Sequence, residues 1–404
     1  MSAVPRHSAP ITLPLLAMIL AALAMIGPFT IDTYLPSFPY IGSDLRATPA
    51  QLQQTLSLYL FTLALMTLFH GTLSDSFGRR PVILVSLLLY VITSAGCALA
   101  TSLPQLLLWR AVQGLSAGAG IIVGRAIIRD SFAGPEAQRL MSLVTMIFGI
   151  APAIAPVIGG WLQGAFGWRS VFWFLTAYGA VLFVVVLRRL PETHPLPARQ
   201  PFRAAPLFHN YLSLGRDVPL LLLCLTVAFN FAGFFLYVVS APAVIYDLLG
   251  LTERHFAWLF VPGIAGVMLG AFLSGRLAER LSPRRTVLAG YLIMCIAAAV
   301  NVAYCALFPP ALPWTVLPVM LYTIGMALAM PSVTLITLDR FPRLRGMTAS
   351  FQGFAHSLFA GITAGVVSPL VSGSALTLAM SMAGLLLLGG LAWLCYLRLQ
   401  QDGR

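Results

Sequence analysis

The chain alternates long apolar stretches with short polar segments. Read in windows of about 19 residues, each apolar stretch is long enough to cross roughly 30 Å of hydrocarbon as a helix, at about 1.5 Å rise per residue. The alternation over about ten residues that is typical of a membrane β-barrel is not seen. The pattern predicts an all-α membrane protein with twelve transmembrane helices. The expected spans are 13–34, 52–73, 82–101, 103–127, 138–163, 168–189, 218–241, 254–275, 286–307, 312–335, 346–371 and 376–397.

The composition agrees with a chain that is solvated by lipid. Hydrophobic residues make up 59% of the 404 residues, charged residues make up 9%, and the mean hydropathy is +0.90. A water-soluble fold of this size cannot hide that much apolar surface. The first apolar stretch continues past residue 30 without a small-residue cleavage site, so it is expected to be a retained helix and not a signal peptide.

The arginines predict the orientation in the membrane. All 24 basic residues are arginine, and twenty of them lie on the side of the proposed topology that holds both termini, which we call the arginine-rich face. The opposite face carries only Arg46, Arg169 and Arg254. Since cytoplasmic loops are enriched in positive charge, both termini are predicted to be cytoplasmic. The net charge of +12 is explained by arginines in short loops that set the topology and contact anionic lipid headgroups. No nucleic-acid partner is therefore expected.

A polar, proline-rich stretch divides the chain into two equal parts. We expect a six-helix half at 1–189, a cytoplasmic linker at 190–217 and a second six-helix half at 218–404. The segments 71–80 and 275–285 share a glycine, a leucine and an acid at an offset of 204 residues, and paired arginines at an offset of 205. Two related halves predict a pseudo-two-fold axis along the membrane normal, with a midplane cavity and alternating access by rocking. Such a chain can work as a monomer.

The loop from Gly71 to Pro81 holds an acid, Asp75, four and five residues before two arginines. The acid can accept hydrogen bonds from a neighbouring helix N-terminus, and the arginines can bridge to carboxylates on adjacent helices. We therefore predict a latch that breaks when the arginine-rich face opens. The alternative is a solvated turn that only follows the positive-inside rule. The gating residues expected here are Gly71, Asp75, Gly78, Arg79 and Arg80.

Two charged residues are expected inside the membrane, Asp32 in span 1 and Arg110 in span 4. A buried arginine is costly enough to need a partner, and Asp32 is the only acid expected near that depth. A carboxylate can bind and release a proton when a cationic neighbour moves away from it and back towards it. The pair therefore predicts a proton-coupling site. The alternative is that Asp32 caps the end of span 1 and Arg110 snorkels to the surface.

Span 5 combines prolines with small residues. Small residues let a neighbouring helix approach closely, and prolines remove backbone donors and permit a bend. This composition predicts a conformational role at the interface between the halves, although ordinary helix packing explains any single glycine. The residues concerned are Pro152, Pro156, Gly159 and Gly160.

The sequence offers no catalytic or cofactor site. The five cysteines lie within or at the ends of apolar stretches without paired spacing, so they are expected to be packing residues and not metal ligands. A P-loop is excluded because the chain contains no lysine. The His-Glu-x-x-His pattern of a metal hydrolase is also absent. We expect no cofactor, no metal and no enzyme activity.

With these residues the chain resembles the major facilitator superfamily, and within it the bicyclomycin and chloramphenicol/florfenicol resistance (Bcr/CflA) group of drug/proton antiporters. The resemblance covers essentially the whole chain. The loop 71–81 looks like the superfamily's signature loop, 110–114 is similar to its proton-transfer motif, and 149–160 is similar to the antiporter motif. The segments 32–36 and 54–59 look like signatures of the group itself.

The resemblance implies a proton-driven antiporter of the bacterial inner membrane that exports small hydrophobic drugs, with Asp32 as the protonation site and Arg110 as its modulator. One departure is Ala155, where the antiporter motif usually has glycine. A proton-coupled exporter or importer of an endogenous metabolite on the same fold remains an alternative. Candidate substrate-binding residues are Tyr34, Gln54, Tyr59, Gln113, Asn230, Tyr237, Gln352 and His356.

Overall fold

The computed structural model describes residues 12–199, 201–278 and 280–402. Within these ranges it contains twelve helices long and apolar enough to cross a membrane, and no strand. The prediction of an all-α fold with twelve spans is confirmed. Spans 1 to 12 are Leu13–Leu45, Pro49–Phe77, Arg79–Ala98, Leu103–Ser131, Glu136–Phe166, Arg169–Arg189, Val218–Val239, Glu253–Leu277, Pro283–Leu307, Leu317–Asp339, Arg345–Val371 and Ala375–Gln401.

Two spans differ from their predicted bounds by five residues or more at one end. Span 1 runs on to Leu45, because the helix Leu13–Asp32 is followed by a 3₁₀ turn, Leu35–Ser37, and a short helix, Phe38–Leu45. Span 10 begins at Leu317 and not near residue 312, because the proline-rich residues before it form a turn. The acid of the segment 275–285, Glu279, lies outside the described ranges, as do Arg6 and Arg404 of the arginine-rich face.

Glycines bring helix backbones together within each half. Gly114 of span 4 lies against the backbone of Tyr59 in span 2, where an added Cβ would be 3.0 Å from the carbonyl carbon. In the second half Gly290 and Gly325 face each other, and a Cβ on Gly290 would lie 2.6 Å from the Gly325 oxygen. Lipid gives no hydrophobic driving force between helices, so close contact between small residues holds them together.

The two halves meet through spans 2 and 11 and through spans 5 and 8. The Ser57 hydroxyl donates to the Gly361 carbonyl at 2.9 Å, and the Gln54 amide donates to the Gly365 carbonyl at 2.7 Å. These bonds carry span 2 across to span 11. Span 5 meets the start of span 8 at Gly160.

The linker contains a helix, Ala204–Arg216, that the sequence argument did not predict. Its Tyr211 hydroxyl donates to the Leu68 carbonyl of span 2 at 2.8 Å, while its apolar side packs on a cluster that includes Phe351 of span 11. Burial raises the pKa of Tyr211 to about 12. The linker helix therefore contacts both halves on the arginine-rich side.

Candidate functional site

Asp32 is the last residue of the first helix and is only 4% exposed. Among the described residues it is the only buried acid. Within the same ranges it has no ion-pair partner. An isolated ionised carboxylate is costly in such surroundings, so this position suits a group that carries a proton.

Arg110 of span 4 is completely buried between two tyrosine rings. Its guanidinium carbon lies 4.8 Å from the ring centre of Tyr34 and 4.6 Å from that of Tyr59. It donates to the Gln113 side chain at 2.7 Å and to the Thr30 carbonyl at 3.3 Å. Its Nε and Nη2 find no acceptor within the described ranges. The arginine is thus stabilised by cation–π contacts while two of its nitrogens remain unpaired.

The structure does not join Asp32 and Arg110 in an ion pair. They approach the same place, because Thr30, which contacts Arg110, lies two residues before Asp32 in the same helix. No carboxylate oxygen of Asp32 lies within 4.0 Å of the guanidinium nitrogens. The surface-snorkelling alternative for Arg110 does not fit this structure, since its side chain is enclosed.

A polar network extends from this site into span 3. The Gln113 amide donates to the Ser94 hydroxyl at 2.8 Å, and the Tyr90 and Thr30 hydroxyls are 2.7 Å apart. These residues were missed at the sequence level. The spacing of Tyr90 and Ser94 by one helical turn is the signal that points to them.

The segment that follows Asp32 is held in place by span 5. A Cβ on Gly159 would lie 2.7 Å from the Thr33 Cα, so only glycine lets span 5 approach the residue that follows Asp32. The helix of span 5 runs unbroken through Pro152 and Pro156. The neighbouring Gly160 faces the other half of the molecule and lies against the Glu253 carbonyl.

The halves are closed together at the opposite face. The Tyr246 hydroxyl donates to the Pro36 carbonyl at 2.7 Å, and the Tyr40 hydroxyl donates to the Glu253 carboxylate at 3.2 Å. The Gln53 amide reaches the Val239 carbonyl at 2.7 Å. These contacts join spans 1 and 2 to span 7, to span 8 and to the segment between them.

On the arginine-rich face the loop 71–81 links spans of the first half to one another. Arg79 is buried, contacts Asp130 of span 4 at 2.9 Å and Asp75 at 2.5 Å, and donates to the Ser74 hydroxyl at 2.7 Å. The bridge that the sequence predicts from an arginine to a neighbouring helix thus involves Asp130. Arg80 donates to the Leu187 carbonyl of span 6 at 2.6 Å.

The acid that caps a helix is Glu192 and not Asp75, which corrects the expected role of Asp75. The Glu192 carboxylate accepts from the backbone N–H groups of Arg79 at 3.0 Å and Arg80 at 3.3 Å, at the start of span 3. Gly78 makes room for it, with φ of 98° and a Cβ position 2.5 Å from a Glu192 oxygen. Gly71 has nothing nearer than 4.0 Å to its Cβ position.

The second copy of this loop has different contacts. Arg284 donates to the Gln400 side chain at 2.5 Å, and Arg276 lies over the Phe272 ring at 5.0 Å. Neither arginine forms an ion pair within the described part of the chain. Among its described residues, which do not include Glu279, the second segment keeps the arginines of the pattern without an ion pair.

An ion pair at the same face joins span 7 to span 10. Asp217 precedes span 7, caps it by accepting from the Leu220 N–H at 2.7 Å, and receives two bonds from Arg340, at 2.5 and 2.7 Å. Burial alone would raise the pKa of Asp217, but the bonds from Arg340 and Leu220 outweigh it and lower that pKa. This contact is not predicted by the sequence pattern.

Two predicted substrate residues lie inside the second half, which corrects their expected place at a cavity. Asn230 exchanges hydrogen bonds with the Tyr291 hydroxyl, the shorter at 2.9 Å. The Tyr237 hydroxyl accepts from the Asn301 amide at 2.7 Å. Both point towards span 9 and are only 2% exposed, so they serve internal packing.

Gln54 joins span 2 to the Gly365 carbonyl of span 11, and the remaining candidates divide into two groups. Tyr34, Tyr59 and Gln113 surround Arg110 and are fully buried. Gln352 and His356 belong to span 11, where Gln352 donates to the Thr334 hydroxyl at 3.1 Å. The His356 ring lies 3.9 Å from the Phe231 ring, centre to centre, between spans 7 and 11.

Comparisons with known proteins identify the family. The sequence model of the Major Facilitator Superfamily matches residues 17–365 and, in a second match, 223–402. The chain belongs to the major facilitator superfamily. This confirms the family predicted from the loop and span motifs, and it is a family of transporters.

Several relatives of this superfamily member cover most of its length. It is 33% identical over 88% of both chains to an uncharacterised MFS-type transporter of Bacillus subtilis, YdgK. It is 28% identical to the multidrug resistance protein D of Escherichia coli, over 94% of this chain and 95% of that protein. A bicyclomycin resistance protein homolog of Haemophilus influenzae is 31% identical over 65% of this chain and 66% of that protein.

A solved structure matches the fold of the whole chain. It is a bacterial homolog of the human lysosomal transporter Spinster, in an inward-facing and occupied conformation. The TM-score is 0.73 at 20% identity, and 96% of each chain is covered. At this identity the match bears on the fold alone.

Proposed function

We propose that this protein exports small hydrophobic compounds in exchange for protons, by alternating access, in the inner membrane of a bacterium with both termini in the cytoplasm. The observation that carries the proposal is Asp32, a buried acid without an ion-pair partner in the described structure. The names of the relatives, which include bicyclomycin and multidrug resistance proteins, support this class of substrate.

The coupling follows from what surrounds Asp32. When it is protonated, the neutral group tolerates its buried position. When it loses the proton, the charge favours movement towards the unpaired Nε and Nη2 of Arg110. Periplasmic protons load the acid, the bound compound is exchanged, and the proton gradient supplies the energy without a cofactor.

Movement of Asp32 would act on the closed opposite face. The next residue, Thr33, lies against Gly159 of span 5, and Pro36 accepts the hydrogen bond from Tyr246 in the second half. A shift of this short segment therefore changes the contacts between the halves. Proton loading and conformation are linked through adjacent residues, as alternating access requires.

The substrate side of the proposal involves the aromatic region between spans 7 and 11. Phe231 and His356 offer a pair of aromatic rings tilted by 35°, and Gln352 supplies a polar group one helical turn away. Apolar and aromatic walls with a few polar groups suit neutral or weakly cationic amphiphiles. The six-plus-six arrangement lets one chain carry out the cycle, so we propose a working monomer.

The test is drug-evoked proton movement in proteoliposomes. The parent and Asp32→Asn are compared with chloramphenicol-type and bicyclomycin-type compounds and a cationic dye. We expect the parent to move protons when drug is added, and Asp32→Asn to bind drug but move none. The matched control is Asp44→Asn, which removes an exposed acid of the same span that pairs with Arg169 at 2.6 Å.

Each outcome separates the possibilities. If Asp32→Asn behaves as the parent does, Asp32 has a structural role and the coupling group lies elsewhere. If Asp44→Asn also loses proton movement, the loss reflects a general effect of removing an acid from span 1. If the parent responds to none of the compounds but does respond to a metabolite panel, the alternative of metabolite transport is favoured.

A membrane hydrolase finds no support in the geometry. Gly114–Gly118 has the G-x-S-x-G spacing of a nucleophile elbow, but it lies within span 4 and not at a turn between strand and helix. The Ser116 hydroxyl donates to the Gln113 carbonyl at 2.7 Å. Within the described ranges no hydrogen bond links it to a histidine or an acid.

A further inference from the structure

A space that opens to the protein surface at the exposed residues Arg125 and Thr145 lies between spans 1, 4 and 5, away from the Asp32 site. It is a cavity of about 80 Å³. Its wall is apolar apart from one hydroxyl and one guanidinium group, and the Thr145 hydroxyl already donates to the Met141 carbonyl at 2.8 Å. The residues that define this cavity are Leu20, Gly124, Arg125, Met141, Val144 and Phe148.

Arg125 is the only charged residue in the wall of this cavity. It forms no ion pair with any residue of the described chain. The acid five residues further along, Asp130, is already bound to Arg79 at 2.9 Å. The other charge near Arg125 is Arg129, one helical turn away, which repels it. The cavity therefore presents positive charge without a counter-charge from the part of the chain that the structure describes.

The cavity lies within the leaflet nearest the arginine-rich face. Arg125 precedes the end of its helix at Ser131 by six residues, or about 9 Å. Leu20 lies seven residues, or about 10 Å, from the start of span 1 at Leu13. A cation at this depth is costly unless it meets water or an anion.

We propose that this cavity binds an anionic amphiphile, with the acidic headgroup on Arg125 and the start of the apolar tail against Leu20, Val144 and Phe148. The single cation selects a negative headgroup, and the apolar wall selects a tail over a small hydrated anion. This chemistry belongs to an acidic phospholipid of the surrounding leaflet and to an amphiphilic anionic solute. The site is independent of the proposed proton coupling.

Binding is measured by native mass spectrometry and thermal stabilisation of the purified full chain in neutral detergent. The probes are phosphatidylglycerol, dodecyl phosphate, phosphatidylcholine and inorganic phosphate. We expect an anionic amphiphile to bind, and phosphatidylcholine and inorganic phosphate to bind at least tenfold more weakly. Binding of phosphatidylglycerol alone identifies a lipid site, and binding of dodecyl phosphate alone identifies a site for solutes.

Three variants test the location. Arg125→Gln removes the charge and should weaken binding by about tenfold or more, as expected for loss of a charge-assisted hydrogen bond. Gly124→Val fills the cavity, where the first added carbon fits at 3.6 Å from Leu20 Cδ2, and should weaken binding with the charge retained. Arg129→Gln is the matched control, since Arg129 does not line the cavity.

The proposal is overturned if neutral and anionic amphiphiles bind equally, or if inorganic phosphate binds as well as dodecyl phosphate. It is also overturned if Arg129→Gln weakens binding as much as Arg125→Gln, because the effect is then general surface charge. Unchanged binding in Gly124→Val, with the variant folded and monodisperse, places the amphiphile outside this cavity and overturns it too. Loss of proton-coupled efflux in Asp32→Asn has no bearing on these results.

Discussion

Replacing Gly160 with alanine places a methyl group where the two halves meet at the opposite face. Gly160 lies against the Glu253 carbonyl of span 8, and an added Cβ would lie 3.2 Å from the carbonyl carbon and closer still to the oxygen. The obstructing atoms belong to the backbone, which cannot rotate away. Span 5 and span 8 must separate at this end, so we expect Gly160→Ala to favour the conformation in which the opposite face is open.

The size of the shift follows from the packing. Carbon atoms are in optimal contact at about 3.5–4.0 Å, so the added methyl must move by several tenths of an ångström from the carbonyl carbon alone. Overpacking of this kind costs about 1–3 kcal/mol. If the cost falls only on the conformation closed at the opposite face, the equilibrium between the two conformations shifts by about 5- to 150-fold.

Spin labels at Arg46 and Arg254 measure this shift. Both positions are exposed at the opposite face, one in each half. In double electron–electron resonance, a longer distance component should grow in Gly160→Ala relative to the parent. The labels are introduced after the five native cysteines have been replaced, and that background must retain transport.

Other glycines of span 5 provide graded controls. Gly149→Ala should change nothing, since no atom lies within 4 Å of its Cβ position. Gly164→Ala meets only the Glu253 side chain at 3.2 Å, which can move, so a small shift is expected. Gly159→Ala clashes with Thr33 in the same half and should lower thermal stability without a matching change in distance. The reasoning is refuted if Gly160→Ala and Gly149→Ala give the same distance distribution.

Two further predictions concern the arginine-rich face. Asp217→Asn keeps the helix cap and loses the ion pair with Arg340, so at pH 7 we expect a loss of roughly 1 kcal/mol of stability. Because the folded-state pKa of Asp217 is lowered, the parent is more stable than Asp217→Asn above about pH 4 and loses this advantage as the pH falls further. Thermal unfolding of both proteins in detergent from pH 7 to pH 3 measures the difference in stability. A difference that stays constant over this pH range contradicts the prediction. Gly78→Ala should lower thermal stability more than Gly71→Ala, because of the two glycines only Gly78 has positive φ and lies against Glu192. Equal losses of thermal stability in the two variants contradict this prediction.

The apolar pattern of the sequence determined the number of spans and most of their bounds. It did so because each span must satisfy its backbone inside lipid by itself, which makes the helix a local property of about twenty residues. The same applies to Asp32 and Arg110, since a charged residue in an apolar stretch is visible without any partner. The family motifs were equally local. The motif that contains Arg79, for example, is complete in the sequence without Asp130, which binds Arg79 in the structure.

Only the tertiary structure decided which side chains meet. Asn230 and Tyr237 are polar residues of the kind that can line a cavity, but the rotation of span 7 turns them towards span 9. Glu192, and not Asp75, reaches the start of span 3. A periodic pattern fixes which residues share a helix face but not which neighbour that face meets, because in lipid the neighbours are chosen by backbone fit at small residues. Gly159 and Gly160 illustrate this, since adjacent glycines in one motif contact different halves of the protein.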